Sequence, residues 1–112
     1  MDGSLAEAAI VVLTNLPDRA SAGKLARDLI EGRLAACVNV GATVESIYHW
    51  RGEIETATEV PLAIKTRAVL FSKVEAAIRR FHPYELPEIV AVPITHASPA
   101  YLDWIAAETR SA

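Results

Sequence analysis

A chain of 112 residues is one domain's worth, and a composition of 52% hydrophobic and 22% charged residues supplies a core and argues against disorder. Fourteen acids against 11 bases leave a net charge of -3, which argues against a nucleic-acid partner and against electrostatic attachment to an anionic membrane. The single cysteine, Cys37, rules out an intramolecular disulfide and a cysteine-rich zinc site.

Residues 1–7 read as a loose leader and residues 8–112 as a single domain. The leader carries Asp2 and Glu7 and lacks the basic segment of a secretory signal. The longest apolar run, Ala8 to Leu13, is far short of the roughly 20 residues a membrane helix needs. A cytoplasmic protein is expected. Ala8 to Asn15 reads as a central strand buried on both faces. Pro17 and Asp18 break it, with Asp18 placed as an N-cap.

A helix follows over 19–31, with Ala22, Leu25, Ala26, Leu29 and Ile30 on one stripe. Gly32 is expected to take the left-handed position after it. Residues 35–50 alternate with period two, burying the even positions from Val38 to Trp50, and Gly41 is a candidate bulge. Residues 54–67 repeat the pattern with Ile54, Val60, Leu62 and Ile64. Pairing even with even predicts a type I turn with Gly52 in a bulge, setting His49 opposite Glu53 and Tyr48 opposite Ile54.

A second helix is expected over 72–81, with Ser72 and Glu75 as a capping box. A strand at 88–95 follows, placed at a sheet edge by Pro93. Ser98 caps a last helix with Pro99 in its first turn. The order β-α-β-β-α-β plus one helix predicts an α+β, ferredoxin-like sandwich with a long hairpin and an extra C-terminal helix.

The lengths carry a further implication. A strand of about 15 residues spans roughly 50 Å, whereas a helix of about 13 residues covers about 20 Å. Val44, Tyr48, Trp50 and Ile54 on the distal hairpin are therefore left without cover, and a homo-oligomer is expected.

Between the second helix and the last strand lies Phe81-His-Pro-Tyr-Glu-Leu-Pro-Glu88, a stiff polar loop of the kind that carries binding groups. The topology puts His82, Tyr84 and Glu88 at the same end of the sheet as Thr14, Asn15 and the hairpin tip, and puts Cys37 and Lys65 at the other end. Imidazole is the commonest transition-metal ligand, so His82 is the candidate metal residue. His49 and His96 lack a helical or alternating partner. Cys37, in an Ala-Ala-Cys-Val run, reads as a small buried hydrophobe. Glu85 and Glu88 could form an acid/base pair, but no nucleophile, phosphate-binding loop or dinucleotide fingerprint accompanies them.

Leu34-Ala-Ala-Cys-Val-Asn39, Tyr48-x-Trp50-x-Gly52, Lys65-Thr66, His82-Pro-Tyr-Glu-x-Pro-Glu88 and Tyr101-Leu-x-Trp104 together resemble the CutA divalent-cation tolerance proteins, over about residues 8–108. The resemblance implies a ferredoxin-like homotrimer, similar in architecture to the PII signalling proteins, and a link to copper and other divalent cations. In some members it implies a copper site of a Cys at the end of the first strand and two His at the end of the second helix. Here Thr14 and Phe81 stand at two of those positions and His82 at the third. Hydroxyl, carboxylate and imidazole donors suit harder or borderline ions better than Cu(I). The expected function is a trimeric, metal-binding or signalling protein, with copper or zinc met through His82 and a neighbouring cleft shaped by Trp50, Tyr84 and Glu88. The alternatives are a PII-like sensor of a small metabolite between subunits, an enzyme using Glu85 or Glu88, and a purely structural trimer.

Overall fold

The computed structural model describes residues 7–110, so the expected leader lies outside the described residues apart from Glu7. In chain order the elements are β1 (Ala9–Leu16), α1 (Arg19–Glu31), β2 (Cys37–Val40), β3 (Val44–Trp50), β4 (Glu53–Arg67), a 3-10 turn (Ala68–Leu70), α2 (Phe71–Phe81), β5 (Val90–Pro93) and α3 (Pro99–Glu108). They form one antiparallel sheet in the order β2-β4-β1-β5, with β3 paired to the distal part of β4. The 15 residues of β4 are its spine, since β1, β2 and β3 all bond to it.

Alternation sets the layers. The even residues of β1 are buried and the odd ones half-buried. Val12, Leu16, Leu62 and Ile64 meet Leu25 and Leu29 of α1 and Val74 and Ile78 of α2 in the core. Each fully buried aliphatic side chain of this kind contributes roughly 1.5–3 kcal/mol. β5 pairs only with β1, so it is the edge strand that Pro93 predicts.

Helix termini follow sequence rules with two corrections. Asp18 caps α1, its Oδ1 accepting from the Ser21 N–H at 2.7 Å, and Ser98 Oγ accepts from the Tyr101 N–H. At the other end of α1 the left-handed residue is Arg33 (φ 57°), not Gly32 (φ -81°). Arg33 N–H bonds to the Ile30 carbonyl and Leu34 N–H to the Leu29 carbonyl, the paired bonds of a Schellman motif one residue later than expected. Gly32 stays useful because a Cβ there would meet the Asp28 carbonyl at 3.2 Å. The Ser72–Glu75 capping box does not form. The chain enters α2 through the 3-10 turn, which places Ser72 inside the helix, and Glu75 pairs with Arg79 one turn on.

The hairpin register is the main correction. β2 pairs even with even, Val38 with Ile64 and Val40 with Leu62. Beyond it Val44 faces Glu59, Tyr48 faces Glu55, His49 faces Ile54 and Trp50 faces Glu53. One extra residue between Val40 and Val44 accounts for the shift. The surplus residue lies just past Gly41, before Val44: Gly41 itself still sits opposite Pro61, its N–H bonding to the Pro61 carbonyl, and a Cβ there would come within 3.0 Å of Pro61 Cγ. With the surplus residue absorbed there, the tip closes in two residues, Arg51 (φ 51°) and Gly52 (φ 83°), the type I′ pattern that matches strand twist. The candidate bulge marked by Gly41 thus forms beside it, whereas the predicted type I turn with Gly52 in a bulge does not.

The distal hairpin therefore carries apolar residues on both faces. Val44 and Tyr48 lie on one, and Ile47 and Ile54, 67% and 71% exposed, lie on the other.

Candidate functional site

The loop that follows α2 is held by its own polar groups. His82 ends the helix with extended backbone and is buried, 8% exposed. Its Nε2 lies 2.5 Å from the Asn15 main-chain oxygen, and its Nδ1 accepts from the Tyr84 N–H at 3.3 Å. A carbonyl oxygen only accepts, so Nε2 carries the proton and the ring is the neutral tautomer. The Tyr84 ring packs on the imidazole with centroids 4.5 Å apart. Further along, Glu88 Oε1 accepts from Asn15 Nδ2 at 2.9 Å, so both the main chain and the side chain of Asn15 anchor the loop. Arg51 at the hairpin tip reaches Glu85 at 2.6 Å while its guanidinium sits 5.2 Å from the Trp50 ring centroid.

Between the hairpin and this loop lies a cleft of about 730 Å³. Its polar lining is Asn15, Ser46, Tyr48, Glu59, Tyr84 and Glu88, and its apolar lining comes from the hairpin and from Leu86 to Val90. A cleft of this size and mixture suits a small molecule. Burial pushes the Tyr84 phenol above its ordinary range, reinforced by the charge of Glu59 and by Tyr48, so Tyr84 remains a neutral donor.

The loop and the end of β1 meet as the topology predicts. Tyr84 and Glu88 line the cleft, His82 lies behind it and supports the loop, and Trp50 sits at the tip outside the lining. Glu85 is turned to Arg51, so it does not share the cleft with Glu88. Cys37 faces Lys65 in register, at the other end of the sheet, with Sγ 3.9 Å from the Asn39 Oδ1 that also receives Lys65 Nζ. Tyr48 and Glu59 belong to the cleft although nothing in their spacing marks them. Glu59 occupies an outward position of β4 by alternation, and its burial at 9% exposure is a tertiary effect.

The positions that the resemblance ties to copper are filled differently. Thr14 is 2% exposed with its Oγ1 unpartnered, and Phe81 packs against the core. Both ring nitrogens of His82 are engaged within the chain, and among the described residues no group of three His, Cys, Asp or Glu side chains comes together. The donors of a single chain therefore do not fit a copper site.

The family model described as CutA1 divalent ion tolerance protein matches residues 10–108. The divalent-cation tolerance protein CutA of Thermus thermophilus is 42% identical over 88% of this chain and 96% of its own length. The chloroplastic CutA of Arabidopsis thaliana is 39% identical over 91% of this chain, which spans 56% of that relative. Among solved structures, the Thermus thermophilus protein superposes with a TM-score of 0.88 at 41% identity, covering 91% of this chain and 99% of that one. CutA from Xylella fastidiosa gives a TM-score of 0.87 at 39% identity, covering 91% and 98%.

Proposed function

This chain belongs to the CutA1 divalent-ion tolerance family, and on that premise we propose that it is a homotrimeric binding module of ferredoxin-like topology whose ligand site is the cleft between hairpin and loop. The observation that carries the reading is the convergence on one 730 Å³ space of Asn15 from β1, Ser46 and Tyr48 from β3, Glu59 from β4, and Tyr84 and Glu88 from the loop. The strand order β2-β4-β1-β5 supports the ferredoxin-like assignment. The apolar residues on both faces of the hairpin, with Val90 and Val92 exposed on edge strand β5, support assembly with further copies.

Native mass spectrometry tests both halves. The expected result is a trimer retaining a small molecule that Tyr84→Ala releases. A stable monomer overturns the assembly, and a ligand retained equally by Tyr84→Ala overturns the cleft as its site.

A second reading is favoured by family membership: a divalent ion, copper or zinc, held at His82 with donors from neighbouring subunits. Nδ1 is the nitrogen able to turn toward such an ion, since its present bond at 3.3 Å is the longer of the two. Calorimetric titration with Cu(II) and Zn(II) decides it. Saturable binding lost in His82→Ala supports the site, and binding unchanged in that variant sinks it.

A further inference from the structure

The cleft holds an unanswered charge. Glu59 is 9% exposed, lines the cleft, and among the described residues has no ion-pair or hydrogen-bond partner. The Glu59 side chain is largely covered, yet its carboxylate oxygens stay open to the cleft and are not sealed from water, so a cation entering the cleft meets a carboxylate with no counter-ion of its own among the described residues. The remaining lining sharpens this. Glu88 adds a second carboxylate, held in place through Asn15, and no lysine, arginine or histidine lines the space. Arg51, the arginine at the hairpin tip, is bound to Glu85 outside it.

We propose that the cleft takes a small organic ammonium compound, with its positive nitrogen at Glu59 and its carbon skeleton against Tyr48, Tyr84 and Leu86. The assignment rests on the cleft being the ligand site and names the ligand's class. A bare metal ion is the poorer occupant. It needs several donors at about 2.0–2.6 Å, whereas much of this lining is aromatic or aliphatic. Ammonium groups gain from the faces of tyrosine rings as well as from carboxylates, and a cavity of about 730 Å³ leaves room for the attached carbon chain.

The test is a matched calorimetric series on the full protein with putrescine, choline, 1,4-butanediol, succinate and Mg(II), for wild type, Glu59→Gln and Glu75→Gln. The expected result is saturable binding of putrescine or choline, weakened by about tenfold or more in Glu59→Gln because a charge-assisted contact is lost. Glu75→Gln, on the outer face of α2 and paired with Arg79, should bind as wild type does. Binding of butanediol or succinate in place of the ammonium probes would keep the cleft as a ligand site and overturn the charge assignment. Glu59-dependent binding of Mg(II) alone would make the carboxylate a metal ligand and overturn it too. If no probe binds and Glu59→Gln instead changes the assembly seen by light scattering, the carboxylate serves a side chain of a second copy and the proposal fails. If no probe binds and assembly is unchanged, the ammonium assignment also fails, while the cleft itself is still judged by the Tyr84→Ala comparison.

Discussion

The imidazole of His82 and the main-chain carbonyl of Asn15 meet at 2.5 Å, which ties the end of α2 to the end of β1 behind the cleft. With Nδ1 also occupied by the Tyr84 N–H, this histidine fixes the start of the polar loop. His82→Ala would leave the Asn15 carbonyl without its partner and open a small void, so it should cost about 1–3 kcal/mol. Denaturant unfolding of metal-free protein measures this. Unchanged stability there would show that the ring is not a structural tie.

Thr14 presents the opposite case. Its hydroxyl is buried beneath the helices with no partner. Thr14→Val keeps the shape, keeps a β-branched residue in a strand and removes the unpaired oxygen. It should raise stability by about 1 kcal/mol, read as a higher denaturation midpoint with the same slope. A loss of stability would mean the hydroxyl is satisfied in solution.

Arg33 adopts the left-handed conformation that costs a side chain most, directly after a glycine that does not use it. Arg33→Gly should relieve that strain. It also removes the exposed ion pair with Glu108, which is worth little. A gain of about 0.5–1 kcal/mol in unfolding free energy is expected, and a net loss would show that the contact with α3 matters more than the backbone.

These cases show where the sequence was readable. The caps at Asp18 and Ser98 and the stripe of α1, Ile30 excepted, depend on near neighbours and appear where they were expected, whereas β1, expected to be buried on both faces, buries its even residues and leaves the odd ones half-buried. The hairpin failed at one residue. Alternation from Val38 to Trp50 looks unbroken, yet Gly41 sits closely against Pro61 and a surplus residue is absorbed just beyond it, before Val44. A glycine inside the strand pattern marks Gly41 as a candidate bulge, but the contact with Pro61 joins residues 20 apart in sequence, so the resulting shift of register is not announced locally. The same holds for the cleft. The His82–Glu88 loop stood out by composition, whereas Glu59 looked like any outward-facing acid until the loop closed near it.

Tyr84 links the cleft to alkaline pH. Burial first, then the charge of Glu59, then Tyr48 raise its phenol above the ordinary value of about 10. A raised value means the folded state favours the neutral phenol. Its contribution is present below about pH 10 and is lost as pH rises through the higher folded value. Because the residue is 38% exposed, the effect is modest. Denaturation midpoints taken from neutral to alkaline pH should fall more steeply for wild type than for Tyr84→Phe, and parallel curves would show that the phenol feels neither burial nor Glu59.

The hairpin gives the sharpest test of assembly. Ile47 and Ile54 share a face, register alongside His49 and Thr56, and are largely exposed in the single chain. Replacing either with lysine therefore removes almost no contact within one chain and should leave its own fold intact. If a second copy covers that face, each lysine would be buried there without a partner, at a cost of several kcal/mol per subunit contact. Light scattering should then show Ile47→Lys and Ile54→Lys dissociating at concentrations where the wild type stays assembled, with circular dichroism unchanged. Val44 and Tyr48 on the opposite face provide the comparison. If Val44→Lys dissociates the assembly and both isoleucine variants do not, the contact lies on the Val44 and Tyr48 face of the hairpin, where Glu59 stands opposite Val44, and Glu59 would then face a neighbouring subunit.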